Sequence, residues 1–367
     1  MSNSFDTTQP GHDQGIWIDS NCAAKERQVF ADIEHVIRAQ GFVADPNNWR
    51  KWSRGKHQIV LCLVDDIISA TNEHTKDMPY LFDRHTTVIS DNYLGCPTQF
   101  DLIRLPQSFF GIYAHDPVGS WQPDRSFCFS VNRLDNRRLL VLLELMRRSS
   151  TDAGYVNFNC QFSERQDPQP SIDDLRANFV KYFDKLISDS YDITTNERIA
   201  YRNVFHKLQS QIPIRNYTIS HAEIHLRSFL NIVIETYGSD TSVTLSEKIF
   251  RAIVLPVPWT VYAGRYAVAY LESLGFDCLH DLIPHNNYDK LQENQHKIHN
   301  FISVSMSSIE RITTMMQDSG AARHHVLART MQAARHNREV LLRFKQQWST
   351  DFDCWRQNLE QKLLSTP

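Results

Sequence analysis

No stretch of the 367-residue chain approaches the roughly 18 consecutive apolar residues that spanning a bilayer would need. The nearest run, LLVLLELM at 139–146, is broken by Glu144, so no membrane span is expected. Targeting signals are missing as well. The opening MSNSFDTTQPGHDQG (1–15) has neither a basic stretch nor an apolar one and reads as a disordered tail. The seven cysteines are odd in number, scattered and without any C-x-x-C pair. That excludes a zinc–thiolate site and a disulfide framework, and points to buried thiols in the reducing cytoplasm. A formal net charge of only −3 excludes a whole-molecule field that draws polyanions, leaving any such contact to a local basic face. No G-x-G-x-x-G follows a strand-like run, so the dinucleotide-binding fingerprint is absent.

What remains is a well-packed α/β sequence too long for one core, which predicts two domains and a cleft between them. Residues 16–124 read as a first α/β domain. A helix over 23–41 repeats Val29, Ile33 and Val36 at helical spacing, and short apolar runs at 57–66, 85–93, 99–106 and 109–115 read as buried strands. Residues 125–290 form a second unit. It opens with a strand at 126–132 and a helix at 137–149, continues with a helix at 171–188 capped by Ser171 and Asp174, and contains a buried strand at 228–236. A helix at 246–254, a strand at 258–264 and a helix at 267–276 follow. Alternation of this kind predicts doubly wound sheets. From 291 to 367 the strand signals stop, and Met331, Ala334, Leu341, Phe344, Trp348, Phe352, Trp355 and Leu359 predict terminal helices that pack back across both domains. The polar face of that stretch carries Arg323, Arg329, Arg335, Arg338, Arg343 and Lys345 against Glu339 alone, a charged face that is ordinarily just solvated.

The chemistry concentrates at 229–264. The buried strand delivers Glu235 and Thr236 to its carboxyl end, where open α/β sheets bind ligands. A polar loop beginning at Tyr237 leads to Ser246, Glu247 and Lys248 in the first turn of a helix, where free N–H groups, the dipole and the lysine all favour a phosphate. Taken alone, Glu247 and Lys248 are a solvated helix start, and Arg137 and Arg138 flank an amphipathic helix either as surface charge or as phosphate contacts. Asp65, Asp66 and Asp91 end predicted strands of the first domain. Each is a candidate general base, although strand-end aspartates more often cap turns. His221 and His225 stand four apart, but with no third ligand in view the pair reads as structural.

The segment 229–264 resembles the donor-binding motif of the α1,3-fucosyltransferases, glycosyltransferase family ten, with Phe229, Ile234 and Glu235 at the family's phenylalanine and glutamate positions. Thr236 stands in place of an asparagine, and Ser246-Glu247-Lys248 in place of T-E-K. The segment 126–146 resembles the family's F-C-x-F-V-x-S-N, ending at Asn132, followed by a helix-opening arginine, here Arg137 or Arg138. With Gly275-Phe276 and Tyr288-Asp289, these segments are also similar to family-ten-like transferases common in tailed bacteriophages. The likeness spans roughly residues 125–290. It implies two Rossmann-like domains of GT-B type and a GDP- or UDP-sugar held mainly by the second. It further implies inversion without an obligatory metal, and an acceptor that is a glycan or a hydroxymethylated DNA base, in the host cytoplasm if phage-encoded. The longer loop before Ser246 and the unmatched first half leave the sugar and the acceptor open. A catalytically inactive nucleotide- or saccharide-binding protein on the same fold is the alternative.

Overall fold

The chain is a mixed α/β protein. Its computed structural model describes residues 22–46, 48–62, 86–90, 93–94, 101–104, 121–133, 136–149, 153–161, 171–188, 193–211, 214–215, 221–235, 242–243, 245–292, 295–318 and 320–364. The tail at 1–15 and the strand expected at 109–115 lie outside them.

Helix α1 (Cys22–Ala39) is followed by strands β1 (Val43–Asp45), β2 (Asn48–Arg54), β3 (His57–Cys62), β4 (Thr86–Ser90) and β6 (Asp101–Arg104) in the sheet order β1-β2-β3-β4-β6. Strands β3, β4 and β6 are parallel, as the doubly wound expectation requires, but β1, β2 and β3 form an antiparallel meander. The reason is local. Arg54 pairs with His57 across a two-residue turn whose Gly55 has φ +60°. A turn that short joins antiparallel strands and leaves no room for a crossover.

The second sheet holds β7 (Arg125–Arg133), β8 (Gly154–Gln161), β9 (Ile214–Arg215), β10 (Ser228–Ile234) and β12 (Trp259–Tyr262) in the order β12-β10-β7-β8-β9. All pairs are parallel except β8 with the edge strand β9. Phe127, Phe129, Leu230, Ile232, Trp259 and Val261 are buried, as expected for strands covered on both faces. Helices α2 (Asn136–Arg148), α3 (Ile172–Ser188), α4 (Thr195–Gln209), α5 (His221–Leu226) and α6 (Glu247–Ile253) connect these strands. Ser171 caps α3 as anticipated, accepting the Asp174 N–H at 3.1 Å while Asp174 accepts the Ser171 N–H at 3.0 Å.

Gly154 opens β8 against Phe127, which is fully buried, and a β-carbon at 154 would lie 2.3 Å from that ring. Gly154→Ala should therefore cost about 1–2 kcal/mol, because the ring has nowhere to retreat. A urea unfolding midpoint unchanged from wild type would show that the ring does retreat.

Beyond β12 come α7 (Ala267–Ser273), α8 (Asn286–Asp289), α9 (Gln295–Gln317) and α10 (Ala321–Leu364). The 44 residues of α10 reach about 66 Å at 1.5 Å per residue. Val326, Ala333, Val340 and Leu341 join the core of the second sheet. Phe352, Trp355, Leu359 and Leu363 instead complete a separate core with Ile33, Val36, Ile37, Phe42, Trp52 and Ile59. The Arg54 guanidinium also donates to the Leu363 carbonyl at 3.5 Å.

Candidate functional site

The chain runs from β7 through α2 to β8, then returns to the other side of β7 to place β10, and continues outward through α6 to β12. Strand order thus reverses between β7 and β10. With right-handed crossovers, the two connections leave on opposite faces and open a crevice at the carboxyl ends of these two strands. Four of the expected site segments converge on that edge: the end of β7, the start of α2, the end of β10 and the start of α6.

Of Asn132, near the end of β7, only the backbone is described. Arg137 is half-buried in the first turn of α2, and Arg138 is only 3% exposed. A cation this deep at a helix start does not read as surface charge. Glu235 follows β10 and is 1% exposed. Its carboxylate accepts the Ser246 N–H at 2.9 Å and the Ser246 hydroxyl at 2.5 Å. Ser246 is the N-cap of α6. Its oxygen accepts the Lys248 N–H at 3.3 Å and the Lys248 ammonium at 3.2 Å.

This chain of bonds changes two expectations. At the start of α6 the Ser246 and Lys248 N–H groups are engaged internally, and the buried Glu235 carboxylate already supplies an anion there. The helix is also only seven residues long. Glu235 therefore acts as a positioning residue. It fixes the Ser246 hydroxyl, which in turn holds the Lys248 ammonium at the sheet edge. The cations gathered at this edge are the side chains of Lys248, Arg137 and Arg138. Glu247 begins α6, with only its backbone described. Thr236 and Tyr237, like Asp65, Asp66 and Asp91, lie outside the described residues. Strand β5 (Tyr93–Leu94), which follows Asp91 by two positions, pairs antiparallel with β11 (Ser242–Val243), three positions ahead of Ser246.

The Tyr288–Asp289 pair lies nearby, and its work is architectural. Asp289 is 3% exposed and accepts the Val268 and Ala269 N–H groups at 3.0 and 3.2 Å, capping α7. Burial pushes its carboxyl above the ordinary range, against the pull of those bonds and of Lys297. The Tyr288 hydroxyl accepts the Val261 N–H at 3.3 Å and donates to His285 Nδ1 at 2.6 Å. The opposite nitrogen, Nε2, lies 2.9 Å from the Cys278 carbonyl and must carry the proton, since a carbonyl only accepts. Burial pushes His285 down to about 3, so the ring is neutral.

A residue not anticipated at this edge is Lys297. It is 1% exposed, donates to the Ala263 carbonyl at 2.7 Å just past the end of β12, and lies 5.4 Å from the centre of the Tyr262 ring. Its sequence context, QENQHKIHN, is that of a solvated helix start, so nothing local announces it.

Other expected features take structural roles. His225 turns into the core, with Nδ1 3.0 Å from Asn231 Oδ1. Among the described residues no group of three His, Cys, Asp or Glu side chains is placed to hold a metal ion. Cys128 and Cys278 are buried thiols as expected, whereas Cys354 is exposed; burial pushes Cys128 up to about 12. On α10, Arg329 is drawn into ion pairs with Asp277 at 2.7 Å and Asp281 at 2.9 Å, leaving Arg323, Arg335 and Arg343 exposed beside Glu339. Among the described residues no helix is long and apolar enough to cross a membrane. No protein-family model, curated protein or solved structure matches the chain.

Proposed function

We propose that the chain is a GT-B-type glycosyltransferase whose nucleotide-diphosphate sugar, a GDP- or UDP-sugar, binds at the carboxyl edge of the second sheet. The observation that carries this reading is the strand-order reversal between β7 and β10. It brings the Arg137–Arg138 helix start and the Glu235–Ser246–Lys248 assembly to one edge, as a site for an extended dianionic group requires. In this reading the cations take up the charge of the departing diphosphate. A first-domain carboxylate, Asp65, Asp66 or Asp91, removes the proton of the acceptor hydroxyl. The β5–β11 pair supports a cleft between the units, since it ties the chain just past Asp91 to the chain just ahead of Ser246. The acceptor is a glycan or a hydroxymethylated DNA base.

The test is a thermal-shift screen of GDP-, UDP-, ADP- and TDP-sugars and their free diphosphates. A ligand at 100 times its Kd adds about 2.7 kcal/mol of stability. Lys248→Ala should weaken the responding diphosphate by about 2 kcal/mol, roughly thirtyfold, the worth of a hydrogen bond to a charged group. A screen in which no nucleotide diphosphate responds would sink the reading. Binding without release of diphosphate in the presence of any acceptor would leave a nucleotide-binding protein on the same fold.

A further inference from the structure

Strand β12 ends at Tyr262 and the chain turns through Ala263, Gly264, Arg265 and Tyr266 before α7 begins. Tyr266 occupies the left-handed region, with φ 65° and ψ 23°, a conformation that favours glycine or asparagine. It is the N-cap of α7 yet makes no side-chain cap bond, that work being done from a distance by Asp289. The turn is also held rigidly. The Tyr266 N–H donates to the Asp289 carbonyl at 2.9 Å, and Arg265 Nε donates to the Lys290 carbonyl at 2.8 Å. Anchored this way, the Arg265 guanidinium lies 4.8 Å from the centre of the Tyr266 ring, and Tyr266 remains 36% exposed. The fold thus places an aromatic residue in a conformation it disfavours, supplies a remote cap so that its side chain is not needed there, and leaves the ring open to solvent. Strain of this kind concentrates where a side chain must meet a ligand.

The location says which ligand. β12 is the immediate neighbour of β10, so this platform stands at the same carboxyl edge as the Lys248 assembly. β7 and β12 flank β10, and their ends are two strand spacings apart, about 10 Å, a separation suited to the two ends of a nucleotide. We propose that Tyr266, backed by Arg265, is the stacking platform for the nucleobase of the donor, with the diphosphate toward Lys248, Arg137 and Arg138. This rests on the donor-site reading above and adds to it the residue that holds the base. A flat ring meeting a flat base is tolerant of base identity, so choice among nucleotides falls to groups around the base edge.

The experiment uses the full chain and three probes, GDP, UDP and inorganic pyrophosphate, with titration calorimetry and thermal unfolding of wild type, Tyr266→Gly, Tyr266→Phe and Lys248→Ala. Tyr266→Gly should bind the preferred nucleoside diphosphate tenfold or more weakly while binding pyrophosphate as wild type does. Its Tm should rise by roughly 1–3 °C, because glycine accepts the turn without strain. Tyr266→Phe should bind like wild type, and Lys248→Ala should lose affinity for both kinds of probe. Unchanged nucleoside diphosphate affinity in Tyr266→Gly overturns the platform and leaves the donor site standing. A fall in Tm in that variant makes Tyr266 a structural residue and overturns it too. Failure of wild type to bind any of the three overturns the donor site and the platform with it.

Discussion

Replacing Glu144 with alanine should lower the unfolding free energy by about 3 kcal/mol. The carboxylate sits fully buried in the middle of α2, where it accepts from Arg147 at 2.7 Å, from Arg148 at 2.7 Å and from the buried Tyr201 hydroxyl of α4 at 3.0 Å. Arg148 reaches on to Ser303 of α9 at 3.1 Å, so this one carboxylate ties three helices together. Both arginines are partly exposed and can turn to water when the carboxylate is gone. The main cost is therefore the stranded Tyr201 hydroxyl and the void around it. Burial pushes the Glu144 carboxyl up, but the two arginines outweigh it and hold it at about 2, below the ordinary 4.5. A depressed carboxyl contributes stability above its unfolded value and loses it as pH falls through its folded one. The charge-dependent part of the gap between wild type and Glu144→Ala should thus be full above about pH 4.5 and fade toward pH 2, leaving the part due to Tyr201 and the void. Urea unfolding at pH 7 and pH 3 measures it, and a gap that does not narrow would mean that the arginines do not hold the charge.

Asp289→Ala should be about as damaging, again near 3 kcal/mol, because it strands the N–H groups of Val268 and Ala269 at the start of α7. The conservative change behaves differently. Asparagine keeps one oxygen acceptor, for one of the two N–H groups, and sets its own NH2 against the other while removing a buried charge, so Asp289→Asn should cost about 1–2 kcal/mol at pH 7, less than alanine. The carboxyl is raised above its ordinary 3.8, so its favourable contribution is complete below that value and is lost as pH rises through the folded pKa. Asparagine does not titrate. Its standing relative to wild type should therefore improve from pH 4 to pH 7. If asparagine were as harmful as alanine at pH 7, the charge facing Lys297, and not the cap, would be what Asp289 supplies.

Where the pattern in the sequence is local, the structure follows it. The apolar spacing of Ile33 and Val36 on α1, the Ser171–Asp174 cap and the largely apolar β10 each reflect forces acting within a few residues. Strand β8 escaped notice because GYVNFNCQ carries two asparagines and a glycine, which depress strand propensity, and its partner β7 supplies what propensity does not. The antiparallel meander hinged on the unremarked Gly55 turn. At the candidate site, the motif marked the strand end at Glu235 and the helix start at Ser246 and Lys248, since both are visible in one sequence. That Glu235 faces inward to Ser246 was not visible, because the bond joins residues 11 apart across a loop. Lys297 and Tyr266 owe their significance to distant partners, Ala263 and Asp289, and no window of sequence contains both ends of those contacts with their geometry.

The last turns of α10 impose an order in time. The apolar face of α1 and the buried Trp52 are covered by Phe352, Trp355 and Leu359, and Arg54, which donates to the Gln40 carbonyl, gains a second acceptor on Leu363, 309 residues downstream. At about 5–20 residues per second, a ribosome takes roughly 15–60 s to make that stretch. Throughout that interval the first sheet exists without its cover. The nascent chain therefore carries an uncovered tryptophan-containing face until synthesis reaches the end of α10.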